Sequence, residues 1–369
     1  MVAESLYRRP VRLRARDHQD SRLPAIGERD KTVISIKDVA RQAGVSVGTV
    51  SNVINRPEQV SAGARMRVTK AIEELGYVRS ESARQLRAGR SRIMGLLVLD
   101  MGNPFFVDVA RGASGVARAA GLGVMLCNSG QDPVEEAEYL SLFAEQQVRG
   151  VLVTPTDANA ANIPSLRRRG IPYVLVDRLA SPEEGCSVSV DDVAGGRLAV
   201  RHLLRGGHRR IVYISGPATL AQCRDRHDGA LAAVVEAGLP PETVTVLEVE
   251  RMTVASGRDA GSRLLGLAHP PTAVFCVNDL VALGVLQSMF AAGLRVPADM
   301  AIVGYDDIEF AAAAAVPMTS VRQPAVRIGQ TAAELLIEES GDHPENHHHR
   351  PVVFAPELVV RQSSLPRQS

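Results

Sequence analysis

The residues best placed for recognition chemistry lie near the amino terminus. Val47, Gly48, Thr49 and Asn52 follow a capping serine, Ser46, at a spacing that sets them on the outer side of a short helix. Small side chains carrying a hydroxyl or an amide can meet base edges in the DNA major groove, where each base pair shows its own donor and acceptor pattern. Catalytic evidence is absent. Gly195-Gly196 and Gly206-Gly207 lack the lysine of a phosphate loop, and the sequence has no H-E-x-x-H. Cys127, Cys186, Cys223 and Cys276 are scattered without a C-x-x-C pair, which fits reduced structural thiols and not a zinc site. His347-His348-His349 suits no defined metal spacing and reads as a solvated loop, and Glu334, Glu338 and Glu339 read as an exposed helix face. The expectation is therefore a protein with no enzymatic activity, no metal and no cofactor.

Three short helices must hold the recognition residues. Ile36, Val39, Ala40 and Ala43 share one helical face, and Gly44 supplies a permissive turn. A second helix runs from the Ser46 cap through Asn55, with Val50, Val53 and Ile54 facing inward. A third runs from the Ser61 cap through Arg65, Val68, Ile72 and Leu75 to Gly76. Short helix, tight turn and second short helix make a helix-turn-helix, whose second helix enters the major groove. A small helical bundle without nucleic acid is the alternative. Charge favours DNA: the whole chain has 42 Lys and Arg against 41 Asp and Glu, but residues 1–90 hold 18 against 10 and the remainder 24 against 31. The Arg-rich start (Arg8, Arg9, Arg12, Arg14, Arg16) does not account for all of this, since residues 32–90 alone carry 10 basic and 5 acidic groups. A basic head on an acidic body suits a polyanionic partner.

From Arg92 onward apolar runs alternate with helical patterns. The runs are 93–99, 124–127, 151–153, 173–176, 211–214, 244–249, 273–277 and 300–303, and the helix-like spans lie near 105–119, 134–147, 191–206, 224–237, 256–266, 279–292 and 325–339. Such alternation predicts parallel sheets covered by helices, and the length allows two lobes with a ligand in the crevice at the strands' carboxyl ends. No run approaches the roughly 18 apolar residues of a spanning helix, and Met1 to Arg22 has no apolar stretch of the export type. A cytoplasmic protein is expected.

Ile36 to Asn55 (I-K-D-V-A-R-Q-A-G-V-S-V-G-T-V-S-N-V-I-N) and Val60 to Tyr77 closely resemble the DNA-binding headpiece of the lactose/galactose repressor (LacI/GalR) family, and the resemblance continues to Arg361. Ser80 to Gly89 matches the family's hinge helix, a segment too short to persist alone in water. The resemblance implies that it orders when paired with a second subunit's hinge on operator DNA. Leu86 would part a central base step, flanked by Arg84 and Arg87. Arg79-Ser80 stands where the family usually has Pro-Asn, which removes a rigid entry to the hinge.

Asp100 to Phe106, Gly207 to Pro217, Phe275 to Gly284, Val303 to Glu309 and Met318 to Pro324 also look like family landmarks. The match places Asp100, Phe105, Phe106, Arg178, Asp191, Arg226, Asn278 and Asp306 around the cleft. Carboxylates and arginines there would hydrogen-bond sugar hydroxyls, and phenylalanine faces would stack on C–H surfaces. Several of these positions have simpler readings. Asn278 could be a helix cap, Arg226 could form an inter-lobe ion pair, and one of the two phenylalanines could belong to the core. Asp192 replaces a common Asn and adds negative charge, and Arg149, where Asp usually precedes Gly150, is expected to touch only a loop.

The expected organisation is an all-α helix-turn-helix headpiece with a hinge, followed by an α/β bilobed domain of the periplasmic-binding-protein type. The expected segments are a disordered basic tail over 1–31, the headpiece over 32–79, the hinge and linker over 80–91, the bilobed domain over 92–364 and a tail over 365–369. A homodimeric repressor on a pseudo-palindromic operator is implied, with a tetramer left open. Ser35, Ser46, Ser51, Asn55 and Ser61 would contact phosphate, and Val47, Thr49 and Asn52 would read bases. An effector, a sugar or sugar derivative in chemical class, would control DNA affinity, its sign left open. A sugar-binding protein with no DNA role would share 92–361 but would need an export signal and no helix-turn-helix.

Overall fold

The computed structural model describes residues 34–77, 91–156, 162–341 and 344–365. The chain divides into two compact units, one up to Arg84 and one from Gln85. The expected hinge, with Arg84, Leu86 and Arg87, the expected tail over 1–31, and all of the expected tail over 365–369 except Leu365 lie outside the described residues.

In the first unit, α1 (Ile36–Ala43), α2 (Val47–Asn55) and α3 (Ala62–Leu75) form where their caps place them. The Ser35 N–H and hydroxyl both donate to the Asp38 carboxylate, at 2.9 and 2.6 Å. Ser46 Oγ accepts from the Thr49 N–H at 3.1 Å. Gly44 and Gly76 end α1 and α3 with φ of 63° and 61°, a left-handed conformation that only glycine adopts cheaply. Val39, Ala40, Ala43, Val50, Val53, Val68 and Ala71 close a small core in which β-branched and alanine side chains dominate.

The second unit contains two six-stranded sheets. Lobe 1 joins β1 (Ile93–Val98), β2 (Gly123–Asn128), β3 (Gly150–Val153), β4 (Tyr173–Val176), β5 (Cys186–Val190) and β11 (Pro351–Phe354) in the order β11-β5-β4-β3-β1-β2, all parallel. Lobe 2 joins β6 (Ile211–Ser215), β7 (Val244–Glu248), β8 (Ala273–Cys276), β9 (Ala301–Asp306), β10 (Thr319–Arg322) and β12 (Glu357–Val359) in the order β12-β10-β9-β8-β6-β7, with only β12 antiparallel. Both faces of the lobe 1 sheet are buried, so strict alternation sorts its side chains. Leu97, Val151, Val153 and Leu175 meet α5 (Pro133–Glu145) and α6 (Ile163–Arg168), while Leu96, Leu152, Val174 and Val176 point to the other face, covered by α4 (Pro104–Ala119) and α12 (Ala325–Glu339). Lobe 2 is covered by α7 (Asp192–Arg205), α8 (Ala221–Glu236), α9 (Val254–Leu265) and α10 (Asp279–Ala291), and the short α11 (Glu309–Ala313) follows β9. Strands β5, β10, β11 and β12 and helices α6 and α11 were not anticipated from apolar runs; β5 reads C-S-V-S-V and β10 T-S-V-R, so their buried serines and threonine hide them. Among the described residues the chain passes between the lobes three times, after β5, after β10 and after β11.

Helix pairs in both lobes cross at reciprocal glycines. A Cβ on Gly196 of α7 would sit 2.0 Å from the Arg226 carbonyl oxygen, and one on Gly229 of α8 would sit 1.9 Å from that of Val193. The same exchange joins Gly257 of α9 to Gly284 of α10, and Gly112 of α4 to Gly329 of α12. Backbone-to-backbone approach of this kind leaves no room for a side chain. Gly229→Ala should therefore lower the thermal midpoint of this unit, a loss of about 1–3 kcal/mol or more from overpacking. Gly115→Ala on α4, where a Cβ meets nothing within 4 Å, should leave it unchanged or raise it by about 0.5–1 kcal/mol. Equal effects of the two changes in a melting experiment would reject the crossing argument.

Candidate DNA-recognition surface and inter-lobe cleft

On α2 the inward positions Val50 and Val53 leave the opposite stripe to solvent. Val47, Gly48, Asn52 and Asn55 are exposed, and Thr49 and Ser51 are half-buried. The Thr49 hydroxyl lies 2.9 Å from Ser46 Oγ, so its rotamer is fixed by the cap, and Asn55 Nδ2 donates to the Ser51 carbonyl at 2.8 Å. Ser35 and Ser61 begin α1 and α3; Ser61 is exposed and its side chain makes no cap bond. The stripe is thus small and polar, set on a core that locks its backbone.

In the second unit the cleft forms where the strands' carboxyl ends meet the first turns of α7 and α8. A cavity of about 210 Å³ is lined there by Asp177, Arg178, Asp191, Asp192, Gln222 and Asp225, among others. Arg178 leans on Glu184 at 2.7 Å, and Asp191 caps α7 by accepting from the Ala194 N–H at 2.8 Å. Arg226, 3% exposed, donates Nε to Asp192 at 2.7 Å and Nη1 to the Val277 carbonyl at 2.6 Å, with its guanidinium 3.7 Å over the Tyr305 ring. Both ends of the pair belong to lobe 2, so the charge that Asp192 adds is matched within one lobe. Tyr305 ends a row of aromatic rings, Tyr213, Phe275 and Tyr305, on adjacent strands with centroids 4.9 and 6.4 Å apart. Gly195 admits this arrangement, since a Cβ there would meet the Tyr305 hydroxyl at 2.1 Å.

Polar contacts join the lobes at the back of the cleft. Asn103, the cap of α4, donates to Asp306 of β9 at 2.8 Å, and Gln323 donates to the other oxygen of the same carboxylate at 2.8 Å. Gln222 Nε2 reaches Asp177 at 3.4 Å, and Arg251 reaches the Gly130 carbonyl at 3.2 Å. Asp177 and Asp306 hold φ of 58° and 100°, conformations that L residues adopt at a cost and that cluster at ligand sites. Burial first, then the Asp192 charge, pushes the Asp177 carboxyl well above the usual range; burial pushes Asp306 up to about 6, against its Arg226, Asn103 and Gln323 partners. Thr154, Thr156 and Ser189 hydroxyls, Asp177 Oδ1 and Gln323 Oε1 are buried without a hydrogen-bond partner. All follow or end a strand at its carboxyl edge.

The structure gathers Arg178, Asp191, Arg226 and Asp306 at or behind the cavity. It places the remaining expected residues elsewhere. Asp100 accepts from the Gly102 N–H at 2.8 Å in a turn after β1. Phe105 and Phe106 are both buried in the core, edge to face at 5.0 Å, and neither lines the cavity. Asn278 caps α10 by accepting from the Val281 N–H at 2.9 Å and donates to the Met252 carbonyl at 3.1 Å. Arg149, expected to touch only a loop, instead donates to the Ser340 hydroxyl and carbonyl at the end of α12, at 3.0 and 3.1 Å. Asp177, Ser189, Gln222, Asp225, Asn103 and Gln323 escaped sequence reasoning; their common signal is a polar residue at the point where a strand ends or a helix begins.

Two outcomes follow from this geometry. Arg226→Met should destabilise the protein by about 3–5 kcal/mol, because Asp192 then remains buried and unpaired, whereas Arg226→Met with Asp192→Leu should recover most of that loss in denaturant unfolding. Asp306 is neutral more readily when folded than when unfolded, so its contribution to stability is present at low pH and is lost as pH rises from about 4 through about 6. The stability of the native protein relative to Asp306→Asn should fall by about 1 kcal/mol between pH 5 and pH 7. A pH-independent difference would refute this account of Asp306.

Comparison with known proteins agrees with both units. Residues 35–80 match the family described as bacterial regulatory proteins, lacI family, and residues 200–364 match a periplasmic binding protein-like domain. A relative from Photobacterium profundum, "HTH-type transcriptional repressor PurR", is 35% identical over 332 residues, covering 89% of this chain and 98% of the relative. The same-named protein of Aliivibrio fischeri is 36% identical over 336 residues, 90% and 99% of the two chains. Among solved structures, a CelR–cellobiose complex is 34% identical with TM-score 0.66 over 89% of this chain and 99% of its own. The Lac repressor dimer bound to operator and the anti-inducer ONPF is 27% identical with TM-score 0.76 over 90% and 99%. With a helix-turn-helix in its first unit and a two-sheet α/β binding fold in its second, the chain belongs to the lacI family of bacterial regulatory proteins.

Proposed function

We propose that this protein is a homodimeric transcriptional repressor whose grip on a pseudo-palindromic operator is set by a neutral, hydroxyl-rich small molecule, a sugar or sugar derivative, held between the two lobes. Val47, Thr49 and Asn52 read bases, and Ser35, Ser46, Ser51, Asn55 and Ser61 hold phosphate and fix register. Gly48 offers no side chain, so part of the sequence preference rests on bending at the centre of the operator, where Leu86 is the wedge and Arg84 and Arg87 its flanks.

The observation that carries the ligand reading is the set of buried side-chain atoms without partners at the carboxyl ends of strands, Thr154, Thr156, Ser189, Asp177 Oδ1 and Gln323 Oε1, of which Asp177 and Ser189 line the cavity. A buried polar group left unpaired destabilises by about 1–3 kcal/mol, and a ligand rich in hydroxyls relieves several at once. The one lining arginine, Arg178, is already held by Glu184, and Asp191 and Asp225 also line the cavity, which disfavours anionic ligands. Among relatives, the CelR structure holds cellobiose and a regulator from Enterococcus faecium holds ribose. Arg178, Asp191 and Asp306 contact the ligand in this reading, and Arg226 sets the field they work in. Asp100, Phe105, Phe106 and Asn278, a turn residue, two core residues and a helix cap, take no ligand contact in this reading.

The lobes meet through polar contacts, which water or ligand hydroxyls can replace, and are joined by crossing strands that act as hinges. Ligand binding then shifts the balance between lobe arrangements, bounded by its differential affinity for them, and so the spacing of the paired hinge segments. The test combines operator and ligand. On a duplex selected from random sequence, Thr49→Ala and Leu86→Ala should each weaken binding. Neutral pentoses, hexoses or disaccharides should raise the melting temperature, and their phosphates should not. Asp177→Asn and Arg178→Ala should lose that shift while keeping DNA binding. Operator binding untouched by both headpiece variants would end the DNA reading, and stabilisation by sugar phosphates alone would end the ligand reading.

A further inference from the structure

At the far edge of lobe 1, four side chains from three separate segments converge. All strands of this sheet run parallel, so Cys186, the first residue of β5, lies at the opposite edge from the cleft. β11 pairs with β5 from Pro351↔Ser187 onward, which brings the residues just before Pro351 beside Cys186. His348 alone of the three histidines is exposed; His347 and His349 turn inward, contrary to the solvated loop expected from sequence. Cys186 Sγ is 3.1 Å from His347 Nε2 and 3.8 Å from His349 Nδ1, and His349 Nε2 is 3.9 Å from Glu339 Oε1 at the end of α12. One ligand atom from each of Cys186, Glu339, His347 and His349 lies within 4.8 Å of the other three. Cys186 is fully buried, the His347 side chain is 4% exposed, and Glu339 Oε2 is buried with no hydrogen-bond partner.

We propose that Cys186, Glu339, His347 and His349 form a closed four-ligand site for a divalent transition metal of the zinc type. Sulfur, imidazole nitrogen and carboxylate oxygen are all ligand types such ions accept, and bond lengths of about 2.0–2.3 Å in a tetrahedron place ligand atoms about 3.3–3.7 Å apart, so the separations of 3.1 and 3.8 Å about Cys186 and the spread of up to 4.8 Å close by small side-chain shifts. A thiolate and a carboxylate cancel the dication, so the loaded site is neutral where charge is hard to bury. Glu338 stands behind His347, its Oε2 3.8 Å from Nδ1, and is itself held by Arg350 at 2.8 Å, the outer carboxylate that orients a ligating imidazole. Arg167, which already donates to the Glu184 carbonyl at 3.1 Å, lies 3.5 Å from His349 Nε2, so His349 offers the metal its other nitrogen, Nδ1, the one facing Cys186. On binding, the Cys186 thiol gives its proton to solvent. Four protein ligands leave no open position, so the metal is structural: it clamps the end of α12 and the segment entering β11 onto β5.

The test uses full-length protein carrying no histidine tag, in a non-chelating reductant, titrated with cobalt(II) and then zinc(II). The expected result is one cobalt per chain, with a near-ultraviolet sulfur-to-cobalt charge-transfer band and intense visible bands of a tetrahedral ion, all displaced by zinc. Cys186→Ser should lose the charge-transfer band, His349→Ala should weaken binding at least tenfold, and Glu338→Gln should weaken it about 10–100-fold. Circular dichroism confirms that each variant is folded, and zinc should raise the melting temperature of the native chain but not of His349→Ala. Cobalt binding of equal strength in native protein, Cys186→Ser and His349→Ala would assign it to the exposed histidine run and overturn the site, as would the absence of a charge-transfer band in the native chain. Because the site lies away from the cleft, its failure leaves the sugar-induced shift untouched, and the reverse holds.

Discussion

A guanidinium removed from water has to be answered by charge and hydrogen bonds, and around Arg226 the second unit is arranged to do so. Asp192 supplies the opposite charge at 2.7 Å, the Val277 carbonyl takes a second N–H, and the face of Tyr305 lies beneath. Each partner makes a demand in turn. Tyr305 has to reach across toward α7, which only Gly195 permits, and α7 and α8 have to cross close enough to bring Asp192 to Arg226, which Gly196 and Gly229 permit. A buried pair of this kind adds little net stability over a well-packed apolar substitute, yet losing one member is severe. Its value lies in placement. It fixes the floor of the cleft, where burial raises the Asp177 and Asp306 carboxyls and the Arg226 charge draws both back down.

The junction between the lobes is built differently. Its contacts are polar, Asn103 to Asp306, Gln222 to Asp177 and Arg251 to Gly130, and two of its carboxylates sit in backbone conformations that carry strain. Apolar surface buried between lobes would resist opening in proportion to its area, whereas hydrogen bonds exchange with water or with ligand hydroxyls at small net free energy. The cores of the lobes, by contrast, are dense and apolar on both faces of each sheet. Rigid lobes on a polar, strained seam suit the proposed control by a ligand held between them.

How much of this could be read from the chain depends on the range of the interaction. The three headpiece helices were legible because their limits are set within a few residues: Ser35, Ser46 and Ser61 begin them, Gly44 and Gly76 end two of them, and the apolar positions repeat at helical spacing. Strands β1 to β4 and β6 to β9 were legible as apolar runs. Strands β5 and β10 were not, since the buried Ser187 is paired by Ala180 in the preceding loop, and Ser320 and Thr319 by Asp279 and Arg361, 41 and 42 residues away. The expected aromatic wall of the cleft went to the core because Phe105 and Phe106 follow the α4 cap on its inward face. The negative charge that Asp192 adds is matched by Arg226, 34 residues away.

The sequence by itself determined the class of protein, the headpiece and the alternation of strand and helix, because caps, turns and periodic burial act between near neighbours and leave their mark in residue order. Tertiary structure alone decided which carboxylates are paired, which polar atoms at the strand ends stay without partners, and that Cys186 meets His347 across 161 residues. Those outcomes follow from how sheets stack their edges and how closely helices cross, and a linear chain does not record such distances.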